Sequence, residues 1–176
     1  MGAKLQFSAE EMRLVSDPAW ILTKNSVVRK VVELFGELSG EWPGMLSWDG
    51  GPKISRGEQY KGLPWVMLDY PRVFGKEDIL AIRTMFWWGH YFSVTLHLKG
   101  AYLRTYLPVI LARRVELEAA GFWPGVSADE WEHDHRPGAW EIDDRSFLKV
   151  SARCELDQSA SLTEKFGILA GILVTT

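Results

Sequence analysis

The chain has 176 residues, 47% apolar and 24% charged, and a net charge of −3. It is long enough to bury one ordinary core and lies far from the composition of a disordered segment. The weak negative charge excludes a broad basic field for phosphate backbones, so nucleic acid is not expected as a partner. Cys154 is the lone cysteine, which excludes an intrachain disulfide or a cysteine metal cluster and points to a reducing compartment, the cytoplasm by default. A single domain over residues 1–176 is expected.

The first residues carry no basic region followed by an apolar one, and Gln6 stands where a myristoylation signal needs Ser or Thr. Ser8 with Glu10 and Glu11 opens a short helix. Asp17 and Pro18 then read as N-cap and first helical residue of a second one, whose stripe is Ile21, Val28, Val31, Phe35 and Leu38. Gly40 reads as its stop, and Thr23 to Ser26 as a place where it could break. Residues 40–62, rich in Gly and Pro, are too long for a structureless loop, so they are either functional or hold a short strand near Lys53 to Ser55.

Leu63 to Tyr70 is an apolar run closed by Pro71, a strand signal, and Glu77 to Ile79 reads as one turn. "ILAIRTMFWW" and "YFSVTLHL" read as two strands around Gly89-His90, a dipeptide that fits a two-residue type II′ turn. That turn pairs Trp88 with Tyr91 and Trp87 with Phe92. Alternation then gives a core face of Met85, Trp87, Phe92, Val94, Leu96 and Leu98. The other face carries Thr84, Phe86, Trp88, Tyr91, Ser93, Thr95 and His97, aromatic bulk mixed with hydroxyls and an imidazole. Helix follows from Gly100 to Ala120, with Pro108 starting a new turn and Gly121 ending it. Residues 121–146 are irregular and carry seven acidic groups between 129 and 144 against Arg136 alone. "FLKVSARCEL" alternates as a strand, and Ser161 with Glu164 has capping-box spacing ahead of a last helix. The order of elements predicts an α+β fold: a small antiparallel sheet, its central hairpin near residues 79–98, packed on one face by N-terminal, middle and C-terminal helices.

Candidate ligand-binding residues are those of the mixed face, Trp88, Tyr91 and His97, joined by Arg56, Asp69, Tyr70 and Arg72. Arginine offers a planar fork for carboxylate or phosphate, and Asp69 can orient it, or else pair with Arg72 or Arg83 as a structural ion pair. The stretches "RGEQYKGLPWVMLDYPRVF" and "RTMFWWGHYFSVTLHLKG" resemble a group of uncharacterised bacterial proteins. That resemblance implies a soluble bacterial protein and carries over no catalytic role.

"EWEHDHR" places Glu130, His133 and His135 close together, ligand types suited to a metal, although their spacing matches no zinc motif. No nucleophile elbow, dinucleotide fingerprint or phosphate loop is present, Cys154 reads as a buried strand thiol, and no cofactor is expected. Trp42, Trp48, Trp123, Trp131 and Trp140 fall in the two irregular segments, where large aromatics either plug a loop onto the core or face a ligand.

These observations favour a binding or interaction module for a small molecule or a protein. The alternatives are a small hydrolase-like enzyme using Asp69, His97 and an arginine, and an assembly protein, for instance a homodimer, that associates through the apolar C-terminal "FGILAGILV". That stretch is about half the length a membrane span needs. Residues 121–146 are expected to fold back over one end of the sheet, bringing Trp131 or Trp140 to the aromatic face and leaving their charges outward.

Overall fold

In the computed structural model, which describes residues 5–142 and 145–174, the amphipathic stripe after Asp17 produces one long helix. Helix α1 (Ala9–Val15) begins with a full capping box between Ser8 and Glu11. In α2 (Pro18–Met45), Asp17 caps Ala19 N–H and Val28, Val31, Phe35, Leu38 and Trp42 are buried. It neither breaks at residues 23–26 nor stops at Gly40. A buried stripe repeating through Trp42 outweighs a helical glycine, which costs only about 1 kcal/mol.

The strands are β1 (Lys53–Tyr60), β2 (Leu63–Phe74), β3 (Ile79–Trp87), β4 (Phe92–Lys99), the two-residue β5 (Trp123–Pro124) and β6 (Phe147–Cys154). They form one antiparallel sheet in the order β1-β2-β3-β4-β6-β5. The irregular stretch expected at 40–62 thus shrinks to residues 46–52, and residues 77–78 form no helical turn. Strand β2 runs through Pro71, which can donate no ladder bond, and its register with β3 shifts there, between Asp69 and Arg72.

The central hairpin turns differently from the expectation. His90 N–H donates to the Trp87 carbonyl at 3.0 Å and Trp87 N–H to that of Tyr91 at 3.1 Å. Gly89, with φ +74°, therefore sits third in the turn, where a type II turn needs positive φ. The loop is one residue longer, so Phe86 pairs with Phe92, Met85 with Ser93 and Thr84 with Val94. A slip of one residue moves a strand's side chains to the opposite face. Leu80, Ile82, Phe86, Phe92, Val94, Leu96 and Leu98 face the helices in the main core, and Arg83, Met85, Trp87, Ser93, Thr95 and His97 face the other way.

Helices α2, α3 (Ala101–Ala112) and α5 (Ser161–Leu173) cover the first face, with α4 (Arg114–Ala119) following α3. Helix α3 starts at Gly100, φ +62°, where a β-carbon would meet the Glu77 carbonyl, and Asp78 Oδ1 accepts Ala101 N–H at 2.6 Å. Pro108 lies inside α3 rather than beginning a new helix. At α5 the expected capping box does not form; the N-cap is Ala160 and Ser161 Oγ donates to the Gln158 carbonyl instead. Leu162, Phe166, Leu169, Ala170, Ile172 and Leu173 of α5 are buried in the chain's own core, and Phe166 stacks on Trp42 at 4.0 Å. The apolar C-terminal stretch is thus core, not the free association surface considered above. No described helix is long and apolar enough to cross a membrane.

Candidate functional site

The second face of the sheet is roofed by an irregular strap, residues 125–140. Gly125 N–H bonds the Lys149 carbonyl at 2.8 Å, which ties the strap to the edge of β6, and Gly138 N–H returns to the Pro124 carbonyl at 2.7 Å. Between these ties the strap crosses charged side chains from separate strands. Alternation in β6 sends Leu148, Val150, Ala152 and Cys154 to the core and Lys149, Ser151 and Arg153 to the strap. Arg83 of β3 and Lys99 of β4 face the same way, and Lys61 stands at the β1–β2 turn.

Three of the strap's carboxylates, Glu130, Glu132 and Asp134, meet these cations rather than pointing outward as expected; Asp129 and Glu141 are exposed, and Asp143 and Asp144 lie outside the described residues. Glu130 accepts from Lys99 Nζ at 3.0 Å. Glu132 pairs with Lys61 at 3.1 Å and accepts the Tyr60 hydroxyl proton. Asp134 lies 3.6 Å from Lys61 and 3.7 Å from Arg153, and accepts from Tyr91 at 3.3 Å. Counting only Arg136 and Arg145 against the acidic run misses the sheet's own cations. Backbone is held as well: Tyr60 Oη accepts the N–H of His133 at 2.7 Å and of Asp134 at 3.1 Å. Lys149 donates to the carbonyls of Glu130 and Glu132, and Arg153 to that of His135.

Burial and this field decide the protonation states. Burial, then Lys149 and Arg83, pull the His133 imidazole down to about 3. Arg83 Nη1 lies 3.4 Å from His133 Nε2, and since a guanidinium can only donate, that nitrogen accepts. His97, 3% exposed, is likewise lowered to about 3 by burial and by Lys149, Arg83 and Lys99. Burial lowers His135 to about 4 and Lys149 to about 8. Burial pushes Glu132 up, but hydrogen bonds from Tyr60, Asp134 N–H and Lys61 outweigh it and hold the carboxyl at about 2. Burial and the Glu132 carboxylate raise the Tyr60 phenol far above its ordinary value. Near pH 7 the Glu132 carboxyl is therefore ionised and the imidazoles of His97, His133 and His135 are neutral.

The residues singled out from the sequence scatter. Asp69, Tyr91 and His97 do lie on the strap side. Asp69 is gripped by Arg83, whose Nε and Nη2 donate to its two oxygens at 2.7 and 3.0 Å, the structural ion pair weighed above. Arg72 shares that side but donates to the Gly51 carbonyl at 3.0 Å, beyond Arg83. Arg56 pairs with Val66 and so stands on the helix side, exposed at the edge. Tyr70 is a core residue, donating to the Leu46 carbonyl at 2.5 Å and accepting from Trp48 N–H at 3.1 Å. Trp88 packs edge-on against Trp20 and Phe86 on the helix side and lines an apolar groove there with Val27, Val31 and Leu156. The mixed face proposed for Trp88, Tyr91 and His97 therefore does not exist as one surface.

Glu130, His133 and His135 do not converge either: they turn to Lys99, to Arg83 and to the Trp123 carbonyl, and no metal-ligating group of histidine, cysteine, aspartate and glutamate occurs among the described residues. Trp131 does reach the sheet, 5.7 Å from the His97 ring and 6.2 Å from Phe74, while 47% exposed; Trp140 is buried in the main core.

Between strap and sheet lies a cavity of about 280 Å³. Lys61, Phe147 and Lys149 line it from the sheet, and Asp129, Glu132, Asp134 and His135 from the strap. Tyr60, Lys61, Arg83, Lys99, Lys149 and Arg153 were missed as a set, because they come from four separate parts of the chain, the β1–β2 turn, β3, β4 and β6. The available signal was Lys-x-Ser-x-Arg in β6, a polar row alternating with an apolar one. No family model matches the chain, and no curated protein or solved structure shows significant similarity to it.

Proposed function

We propose that the protein is a binding module for anionic ligands, and that its working surface is the strap-covered face of the sheet with the adjoining cavity. The observation that carries this reading is the division of charge. The sheet offers Lys61, Lys99, Lys149 and Arg153 on one face, and the carboxylates that meet Lys61, Lys99 and Arg153, with the carbonyls that meet Lys149, come from a single irregular segment. A scaffold needing only stability covers its second face with apolar side chains, since buried ionic groups repay their desolvation poorly. Cations fixed on strands and served by a segment with few backbone ties are the arrangement of a preformed anion site with a cover. The catalytic alternative gains nothing from the geometry: Asp69 spends both oxygens on Arg83, and an imidazole held near 3 is a weak base at neutral pH.

Titration with succinate or inorganic phosphate, followed by amide chemical shifts and Trp131 fluorescence, tests the reading. The expected result is saturable change at Lys61, Lys149 and the strap, weakened in Lys149→Gln. Shifts confined to the helix side, or none at millimolar anion, would overturn it.

A further inference from the structure

The strap sits on the sheet as a peptide ligand sits on a receptor. Its carboxylates come at alternate residues, Glu130, Glu132 and Asp134, on a course that turns where Glu132 N–H bonds the Asp129 carbonyl at 3.2 Å, and each meets a cation from the sheet or its turn. The sheet also reads backbone, through Tyr60 and Lys149. Trp131, between the first two carboxylates, lies against Phe74 and His97. Recognition of backbone, charge and one aromatic is what distinguishes a peptide site from a site for a free anion.

Two observations indicate that this occupant is replaceable. The buried polar side chains of the face are Asp69, Ser93, Thr95, His97 and Ser151, and its small apolar cluster, Met67, Met85 and Trp87, is covered by Tyr60, Leu63, Trp65 and Tyr91 of the sheet and its turns. Beyond these the face buries the apolar side chains of Ile79 and Ala81, so lifting the strap uncovers chiefly polar groups. The fit is also incomplete: His97 Nε2 and Glu130 Oε2 are both buried, 3.7 Å apart, and neither has a hydrogen-bond partner. A carboxylate placed a few tenths of an ångström closer would satisfy both.

We propose that the strap is an internal stand-in for an acidic peptide of a partner protein, and that the face beneath it docks such a peptide, with carboxylates at alternate residues, when the strap is displaced. This rests on the anion-binding reading above and adds the partner's class.

The probe is a synthetic peptide of residues 127–136, SADEWEHDHR. In the native chain the tethered strap competes at an effective concentration in the millimolar range. Binding is therefore measured by isothermal titration against a full-length variant with residues 127–136 replaced by a Gly-Ser linker, its fold checked by amide spectra, and in parallel against the full-length chain carrying Glu130→Gln, Glu132→Gln and Asp134→Asn in its own strap, which loosens the strap but leaves the face intact, so that a misfolded linker variant does not end the test. The expected result is saturable binding to either variant, at least 10-fold tighter than to the native chain. A peptide with Glu130→Gln, Glu132→Gln and Asp134→Asn should bind at least 10-fold more weakly, with shift changes on β3, β4 and β6. Equal binding of the neutral peptide, no binding to a folded variant, or tighter binding of a single-stranded oligonucleotide would overturn the proposal. If succinate or phosphate still binds while the peptide does not, the partner class fails and the anion-binding reading stands; if neither binds, both fail.

Discussion

Replacing Tyr60 with Phe removes one hydroxyl that serves three strap groups: it accepts the N–H of His133 and of Asp134 and donates to Glu132. The ring stays and keeps its edge contact with Trp87 at 5.1 Å, so the loss is confined to hydrogen bonds. Asp134 N–H retains a second acceptor, Glu132 Oε1 at 2.7 Å, whereas His133 N–H is left without its partner. An unpaired, partly buried N–H costs about 1–3 kcal/mol, and a lost bond to a charged group about 1.5–3 kcal/mol. Residual solvent access brings the sum slightly below the low end of these ranges, to about 2 kcal/mol, which is roughly a 30-fold rise in the open strap population. Because the strap covers a polar face, this opening is local and leaves global unfolding nearly unchanged. Limited cleavage after Glu132 by a glutamate-specific protease reports it, since cleavage follows the open population when reclosing is fast. The expected result is cleavage about 30-fold faster with a urea midpoint within a few tenths molar of the parent. Unchanged cleavage, or an increase matched by an equal loss of global stability, would refute the reasoning.

Asp69→Asn leaves the Arg83 guanidinium buried beside a neutral amide and should lower stability by about 3 kcal/mol, whereas the double variant Asp69→Leu with Arg83→Met should recover most of that loss; urea denaturation of the cycle measures both. Trp140→Ala, in the core, should cost about 3–5 kcal/mol, and half-exposed Trp131→Ala far less, so two melting curves separate a core anchor from a strap contact. Acid should loosen the strap. For His97, His133 and His135 the folded pKa lies below the unfolded value, so their contribution is complete above about 6.5 and falls as the pH drops towards 3–4. Glu132, held at about 2, loses its contribution below about 4.5 in the same direction. Trp131 fluorescence should change between pH 6.5 and 4 ahead of the far-ultraviolet circular dichroism of the sheet, and coincident transitions would contradict this.

The fold was legible where periodicity is strong. The 3.6-residue stripe of α2, the period-2 alternation of β6 and the hairpin's position follow from the residues alone. The faces of the hairpin were not, because Trp87 and Trp88 are both aromatic and leave alternation without a tie-breaker. Whether Gly89 stands second or third in the turn then decides which residues reach the core. The site was only half legible. The acidic segment is a run in the chain and stands out, but its counter-charges come from a turn and two strands far apart in the chain, and become a surface only when the sheet assembles. His133 was visible as a metal ligand type, yet its neighbour in space is Arg83, fifty positions away in the chain.

The central claim, an acidic strap held by ionic and polar contacts over a cation-bearing sheet face, is tested most directly by amide hydrogen exchange of His133 and Asp134 against sodium chloride concentration. Screening shortens the reach of exposed charges to about 3 Å at 1 M salt, while the β3–β4 ladder is indifferent to it. The account predicts that protection of these two amides falls steeply between 0.05 and roughly 1 M salt while that of Ile82 and Leu96 holds. Strap protection unaffected by salt, or lost only together with the sheet, would contradict it.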